Sequence, residues 1–212
     1  GTGGASRIGD IGVSGDRIVA VGDLASASAD REVMAGGKAV APGFIDSHTH
    51  DDRAVLCGPA CMTCKISQGV TTVVVGNCGV SLSPARFTKR PPPPLDLIGE
   101  DGWWRFDSFG DYAHELKKLG SEVNTYALVG HQTMRVEAMD GDVMRVANDG
   151  EIERMRLRVK QSLAEGASGF STGLYYPLNM HATTEEVIAV AEPLRAYGGI
   201  YVTHMRLSLI HI

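Results

Sequence analysis

From about residue 39 the chain alternates short apolar runs with helix-forming stretches, and this alternation confines it to a few folds. The segments KAVAPGFID, VTTVVVGN, VNTYALVG, ASGFSTG and GGIYVTH read as strands. VTTVVVGN is β-branched and nearly continuously apolar, the pattern of a strand covered on both faces. Between the strands, MTCKISQG suits a short helix closed by Gly69. DSFGDYAHELKKLG is amphipathic, with Leu116 and Leu119 on its apolar side. Residues 150–166 form a strong helix, with Asp149 as cap, Glu151 and Glu153 in the first turn and Gly166 at its end. Thr183, followed three residues later by Glu186, is a capping box for one more. About five βα units result, which build either a doubly wound sheet or a (β/α)8 barrel. No glycine fingerprint for dinucleotides opens the first unit, which weighs against a dinucleotide-binding sheet.

The segments outside this rhythm are of another kind. Residues 7–22 alternate polar and apolar positions around Ser14-Gly15-Asp16, a β-hairpin signal, and residues 31–41 add further short strand material. Residues 1–40 are therefore expected to form part of a small β domain, separate from the βα units after it. Residues 79–107 form an irregular excursion holding Pro91-Pro92-Pro93-Pro94, a stiff extended spacer, and Trp103-Trp104, which serve loop packing or a lid.

Chemistry concentrates where strands end. The run Ala41 to Ile45 reads as a buried strand entered through Pro42 and Gly43, and it turns abruptly into Asp46-Ser47-His48-Thr49-His50-Asp51-Asp52. His48 and His50 are two apart, so an extended backbone sends both imidazoles to one side. The second strand ends in Asn77-Cys78, the third in His131, the fourth in Ser171-Thr172 and the fifth in His204. In a barrel these ends converge on one face, where four histidines and a cysteine make a metal-site constellation. Thiolate and imidazole ligands suit zinc, which lowers the pKa of bound water to about 7 and so favours hydrolysis of an amide or related bond. Proton delivery to the leaving amine requires a carboxylate, a role not assigned to Asp51 or Asp52 in the following loop. His131 alone is open between a satisfied core histidine and an active-site one, and His114, within a helix, reads as solvated.

Composition excludes several other classes. Lys+Arg 20 against Asp+Glu 25 leaves a net charge of −5, and no basic run offers a nucleic-acid surface. No apolar stretch is long enough to span a bilayer, and residue 1 does not begin a signal peptide, although the chain does not start with Met. The four cysteines, at 57, 61, 64 and 78, cluster in one region rather than forming a distributed disulfide framework, which points to a reducing cytoplasm. Cys57-x3-Cys61-x2-Cys64 has the spacing of some iron–sulfur sites, but Thr63, not an aromatic residue, precedes the last thiol; ordinary free thiols are expected.

The motifs PGFIDSHTHDD, KISQGVTTVVVGNCG, VGHQTMR, GFSTGLYYP and GGIYVTHMR together resemble the amidohydrolase superfamily, and within it the N-acyl-D-amino-acid deacylases (D-aminoacylases). The match runs from residue 3 to Arg206, and GNCG is the motif most specific to that branch. The resemblance implies a zinc-dependent (β/α)8 barrel that releases a D-amino acid from its N-acyl derivative, a small molecule. It implies that Cys78 and His204 hold a tightly bound zinc and that His48 and His50 hold a second, weaker metal. It gives Tyr176 a substrate-contacting place, with His131 and Arg135 as supporting residues that orient substrate. The family's further histidine ligand and its general acid/base aspartate are absent here and are expected past Arg206.

The chain is accordingly expected to be a piece of a longer protein, inactive alone: an α/β fold, a partial (β/α)8 barrel with about five of eight units over 41–206, preceded by part of a small β-sandwich at 1–40. Gly1-Thr2-Gly3-Gly4 reads as a turn after a missing strand, and residues 207–212, with His211, as a non-native tail. Two alternatives stand beside the deacylase reading. A hydantoinase- or dihydropyrimidinase-like hydrolase of cyclic amides is disfavoured because GFSTG carries no bridging lysine, and a non-catalytic zinc-binding fragment is the other. Oligomeric state cannot be read from these features.

Overall fold

The computed structural model describes residues 4–100 and 102–206. The expected turn over residues 1–4 rests mostly on positions outside that set, and the expected tail at 207–212 lies wholly outside it. The chain divides into two compact units, Gly1–Pro42 and Gly43–Ile212.

The first unit contains one antiparallel hairpin, β1 (Asp10–Ser14) with β2 (Arg17–Gly22), paired from Asp10 opposite Gly22 to Ser14 opposite Arg17. Gly15 takes a φ of 59° in the two-residue turn, a conformation open to glycine at little cost. The strand expected over 31–41 does not form. Val33, Met34 and Val40 are exposed, and among the described residues no neighbouring strand takes up the backbone groups of that segment, so β-propensity alone does not order it.

The second unit is built on a five-stranded sheet, β3 (Phe44–Asp46), β4 (Val70–Val75), β7 (Asn124–Gly130), β8 (Gly169–Gly173) and β9 (Ile200–His204), in that spatial order and parallel throughout. Strands adjacent in sequence within this set are adjacent in space, giving a curled half-barrel rather than a doubly wound sheet. The crossovers carry α1 (Pro59–Ile66), α2 (Phe109–Leu119), α3 (His131–Ala138), α4 (Asp149–Ala164), α5 (Thr184–Ala191) and α6 (Leu194–Tyr197). Val73, Val75, Val129 and Phe170 from the strands meet Met134, Met155, Val159, Leu163 and Val190 from the helices in one apolar core. The excursion between β4 and α2 is tied by a short antiparallel pair, β5 (Ala85–Arg86) with β6 (Arg105–Phe106), and Trp104 is buried there with its indole N–H donated to the Gly99 carbonyl at 2.9 Å.

Several local expectations need correction. The first strand spans only Phe44–Asp46, and Phe44 and Ile45 are exposed at 65% and 66% instead of buried, because among the described residues β3 is an edge that pairs with β4 alone. On α2 the buried residues are Phe109 and Tyr112, while Leu119 is exposed in the last turn next to Gly120. The cap of α4 is Asn148, one residue before Asp149. Its Oδ1 accepts from the Glu151 N–H at 3.0 Å, and the Glu151 carboxylate accepts from the Asn148 N–H at 2.8 Å.

Glu151 also accepts two hydrogen bonds from the Arg145 guanidinium, at 2.7 and 2.8 Å, which hold its carboxyl down to about 2. A depressed carboxyl stabilises the fold above its unfolded pKa, near 4.5, and loses that contribution as pH falls toward about 2. Arg145 is 41% exposed, so solvent screening limits the contribution to about 1 kcal/mol. In the full-length protein, Glu151→Gln is expected to lower thermal stability at pH 7 by that amount. The gap to the unsubstituted protein should close between pH 4.5 and 2, as followed by thermal denaturation across pH.

Candidate metal centre

The ends of β3, β4, β8 and β9 supply the side chains of the site. After Asp46 the chain leaves the sheet, and Thr49 is drawn inward: both its N–H, at 3.0 Å, and its hydroxyl, at 2.9 Å, donate to the Val74 carbonyl on β4. With Thr49 buried at 5% exposure, His48 and His50 on either side of it stay exposed, and their rings meet edge-on with centroids 5.7 Å apart. The expected juxtaposition of the two imidazoles is present, produced by an anchored loop rather than by strand pleat.

Cys78 reaches these histidines from the end of β4. Its Sγ lies 3.2 Å from His48 Nε2, and the ligand atoms of His48, His50 and Cys78 all lie within 4.8 Å of one another. Cys78 has φ 55° and ψ 23°, a left-handed backbone that non-glycine residues seldom adopt. Surrounding hydrogen bonds enforce it. The Gln132 amide donates to the Cys78 carbonyl at 2.6 Å, the Gly79 N–H donates to Ser171 Oγ at 2.9 Å, and the Ser171 hydroxyl donates to the Gly76 carbonyl. Asn77 is locked by its amide to the carbonyls of Thr49, at 3.3 Å, and Val74, at 2.9 Å. Gly173 packs so tightly on the Cys78 carbonyl that any Cβ there would overlap it.

His204 ends β9 but does not join the three-residue group. Its Nδ1 lies 3.3 Å from the Tyr176 hydroxyl, and the two rings meet edge-on with centroids 4.9 Å apart. Burial pushes the Cys78 thiol up and the Tyr176 hydroxyl partly offsets this, while the protein around His50 and the neighbouring His48 hold the His50 imidazole below its usual value, toward the neutral, ligating form. Two nitrogens and a sulfur at these separations fit a borderline-soft divalent ion.

The nearby carboxylates are engaged elsewhere. Lys65 on α1 binds Asp46 at 2.7 Å and Asp51 at 3.1 Å. Asp52 is buried, which raises its carboxyl to about 7, and it accepts from the N–H groups of Gly76, at 3.2 Å, and Leu82, at 3.4 Å, bracketing the Cys78 turn. Cys57, Cys61 and Cys64 are free and exposed, and the thiols of Cys61 and Cys64 bond backbone carbonyls. Among the described residues the three do not form a metal-holding group.

His131 and Arg135 are both completely buried. They share Glu186 of α5, which sequence reasoning treats only as the far member of a capping box. Thr183 does cap α5, with its Oγ1 accepting from the Glu186 N–H at 3.1 Å, but the carboxylate turns inward to Arg135, at 2.5 and 2.6 Å, and to His131, at 3.0 Å. Burial alone would raise the Glu186 carboxyl, yet His131 and Arg135 outweigh it and hold it below the usual range. Burial pushes the His131 imidazole below its usual value, against the opposing pull of the Glu186 carboxylate. Gln132, Ser171 and Asp52, which shape the Cys78 turn, carry no sequence signal beyond a position near a strand end.

The chain matches the Amidohydrolase family over residues 31–209. It is 52% identical over 206 residues to a D-aminoacylase of Alcaligenes xylosoxydans xylosoxydans, covering 97% of this chain and 42% of that protein. Among solved structures it superposes on a D-aminoacylase described with a binuclear metal centre, one metal activating and the second attenuating, with a TM-score of 0.93 and 50% identity over 97% of this chain and 43% of that one. It also superposes on an N-acyl-D-glutamate deacylase from Bordetella bronchiseptica complexed with zinc and a phosphonate mimic of the tetrahedral intermediate, with a TM-score of 0.90 and 38% identity over the same shares. The chain spans about two fifths of the length of the curated relatives it matches.

Gly173→Ala would drive a methyl group into the Cys78 carbonyl, with the Tyr176 ring at 2.7 Å and the Gln132 amide at 2.8 Å. In the full-length protein it is expected to cost about 1–3 kcal/mol by overpacking. It should also weaken metal retention about tenfold by shifting the ligand turn, the scale of a lost outer-shell support, as measured by competition with a chromogenic chelator.

Proposed function

The chain belongs to the amidohydrolase family, and from that membership we propose that the full-length protein carrying it is a metal-dependent hydrolase that releases D-amino acids from their N-acyl derivatives. The observation that carries the proposal is the convergence of the ligand atoms of His48, His50 and Cys78 within 4.8 Å, with His204 held by the Tyr176 hydroxyl. Zinc is the ion that this nitrogen and sulfur donor set favours, and when bound it supplies an activated water and polarises the acyl carbonyl. Cys78 and His204 are assigned to the tighter position, with His48 and His50 lining a second, weaker one.

Each of the chain's own residues then has a defined task. Gln132, Ser171 and Asp52 fix the Cys78 turn so that the sulfur is presented without reorganisation. Tyr176, half free of the interior, offers a hydroxyl to orient the substrate next to the ligands. His131 and Arg135 act from behind, within the protein, rather than by touching substrate. The general acid/base aspartate is assigned to the part of the protein past residue 206. β8 presents Phe170, Ser171 and Thr172 and no lysine, which supports the acyl-amino-acid reading over a cyclic-amide hydrolase built on a bridging carboxylated lysine. The substrate class is an N-acylated D-amino acid as a free small molecule. The four free cysteines favour a reducing compartment, the cytoplasm, and no helix in the described residues is long and apolar enough to cross a membrane.

Incubated with N-acetyl-D-methionine, the full-length protein is expected to release D-methionine, read by coupled D-amino-acid oxidation. It should lose the activity to a chelator and regain it with zinc. Cys78→Ala is expected to lose bound zinc, read by atomic absorption, together with at least about 1,000-fold in turnover, since a coordinating side chain and the charge stabilisation it supports disappear together. Unchanged activity and zinc content in that variant would remove the assignment.

A further inference from the structure

The turn that carries Tyr176 is held from inside the protein by groups for which the hydrolytic chemistry has no direct use. Arg135 on α3 and Glu186 on α5 are both completely buried, and Arg135 Nη1 donates to the two carboxylate oxygens at 2.5 and 2.6 Å. A guanidinium is a rigid planar fork, so fixing one arm aims the others. Nε donates to the Leu178 carbonyl at 3.1 Å, and Nη2 donates to the carbonyls of Val143, at 3.2 Å, and Arg145, at 2.9 Å. Leu178 lies in the 3-10 turn Pro177–Asn179, for which Tyr176 is the N-cap residue.

The same helix holds the other side of the site. Gln132, three residues before Arg135 and one turn away on α3, donates to the Cys78 carbonyl. The loop carrying Tyr176 is further fixed at its start, where the Leu174 N–H donates to the His204 carbonyl at 2.9 Å. Helix α3 therefore sets the backbone of Cys78 with one side chain and the backbone next to Tyr176 with another. A buried ion pair is weak evidence for stability, since packed apolar residues of similar size hold a core as well. An apolar pair could not deliver oriented N–H groups to three carbonyls on two different loops.

Resting on the metal-hydrolase reading above, we propose that Arg135 and Glu186 are positioning residues. Through the Arg135–Leu178 hydrogen bond, their buried pair sets where the Tyr176 hydroxyl stands relative to Cys78 and His204, and so how the substrate is oriented.

A double-mutant cycle in the full-length protein, with rates normalised to bound zinc, tests this. Arg135→Lys keeps a cation beside Glu186 but has no fork to reach Leu178, and Glu186→Gln keeps the side chain's shape while releasing the guanidinium. Either is expected to lower kcat/KM about 30-fold per bound zinc, and Tyr176→Phe about 100-fold. Combined with Tyr176→Phe, either is expected to add no more than about threefold, because both changes remove the same interaction. Multiplying effects, or wild-type kinetics per bound zinc in Arg135→Lys and Glu186→Gln, would overturn the proposal, since a purely structural pair lowers the folded fraction and leaves the remaining sites unaltered. Hydrogen exchange gives a readout free of activity. The amides of Tyr176 and of residues 178–180 are expected to exchange at least about tenfold faster in Arg135→Lys, and unchanged exchange there would equally overturn it. Should the full-length protein act on no N-acyl-D-amino acid, the functional reading falls, and the exchange experiment still decides whether Arg135 holds the Tyr176 turn.

Discussion

The site depends on how closely three strand-end turns approach one another. Ser171, in β8, accepts from the Gly79 N–H and donates to the Gly76 carbonyl, so one hydroxyl closes both ends of the turn that presents Cys78. Gly130 sits against the Gly79 backbone and Gly173 against the Cys78 carbonyl, at separations where a Cβ would overlap backbone atoms. This interlock requires β4, β7 and β8 to be parallel and in register, and the hydrophobic core led by Val75, Val129 and Phe170 supplies that register. The apolar interior thus fixes the coordinates of polar groups lying above it. A small shift between neighbouring strands would move a ligand and its support in different directions.

Charge around the candidate ligands His48, His50 and Cys78 is arranged to leave nitrogen and sulfur as the available donors. Three acids lie within four residues of His48 or His50 in sequence, yet two are paired with Lys65 and the third is buried beneath the Cys78 turn. A thiol and two imidazoles remain, a softer set than the local composition suggests. The acids contribute by holding backbone and by neutralising Lys65, which would otherwise repel a cation.

Much of this architecture is legible in the amino-acid order, and the exceptions share a cause. Strands reveal themselves through runs such as Val73 to Val75, helices through caps and terminal glycines, and the candidate ligands His48, His50 and Cys78 through reactive residue types placed where apolar runs stop. The errors arise where a neighbour decides. Phe44 and Ile45 look like core residues by composition but lie on an edge strand, and Val33 and Val40 look strand-like but have no strand to pair with among the described residues. Glu186 reads as half of a local capping motif because its true partners, Arg135 and His131, are about 50 residues away. Gln132 and Ser171 are ordinary polar residues whose importance comes only from the carbonyls and amides they meet across strands.

The left-handed backbone at Cys78 implies a conflict between durability and chemistry at one position. Glycine would adopt those angles freely, and the fold would gain about 1 kcal/mol or more by relief of strain. Stability alone would therefore favour glycine there, the residue that stands at positions 76 and 79 in the same turn, and would discard the sulfur. A drift experiment that rewarded only solubility would be expected to erase this residue early. A strained cysteine in a turn otherwise eased by Gly76 and Gly79 answers a chemical demand rather than a structural one.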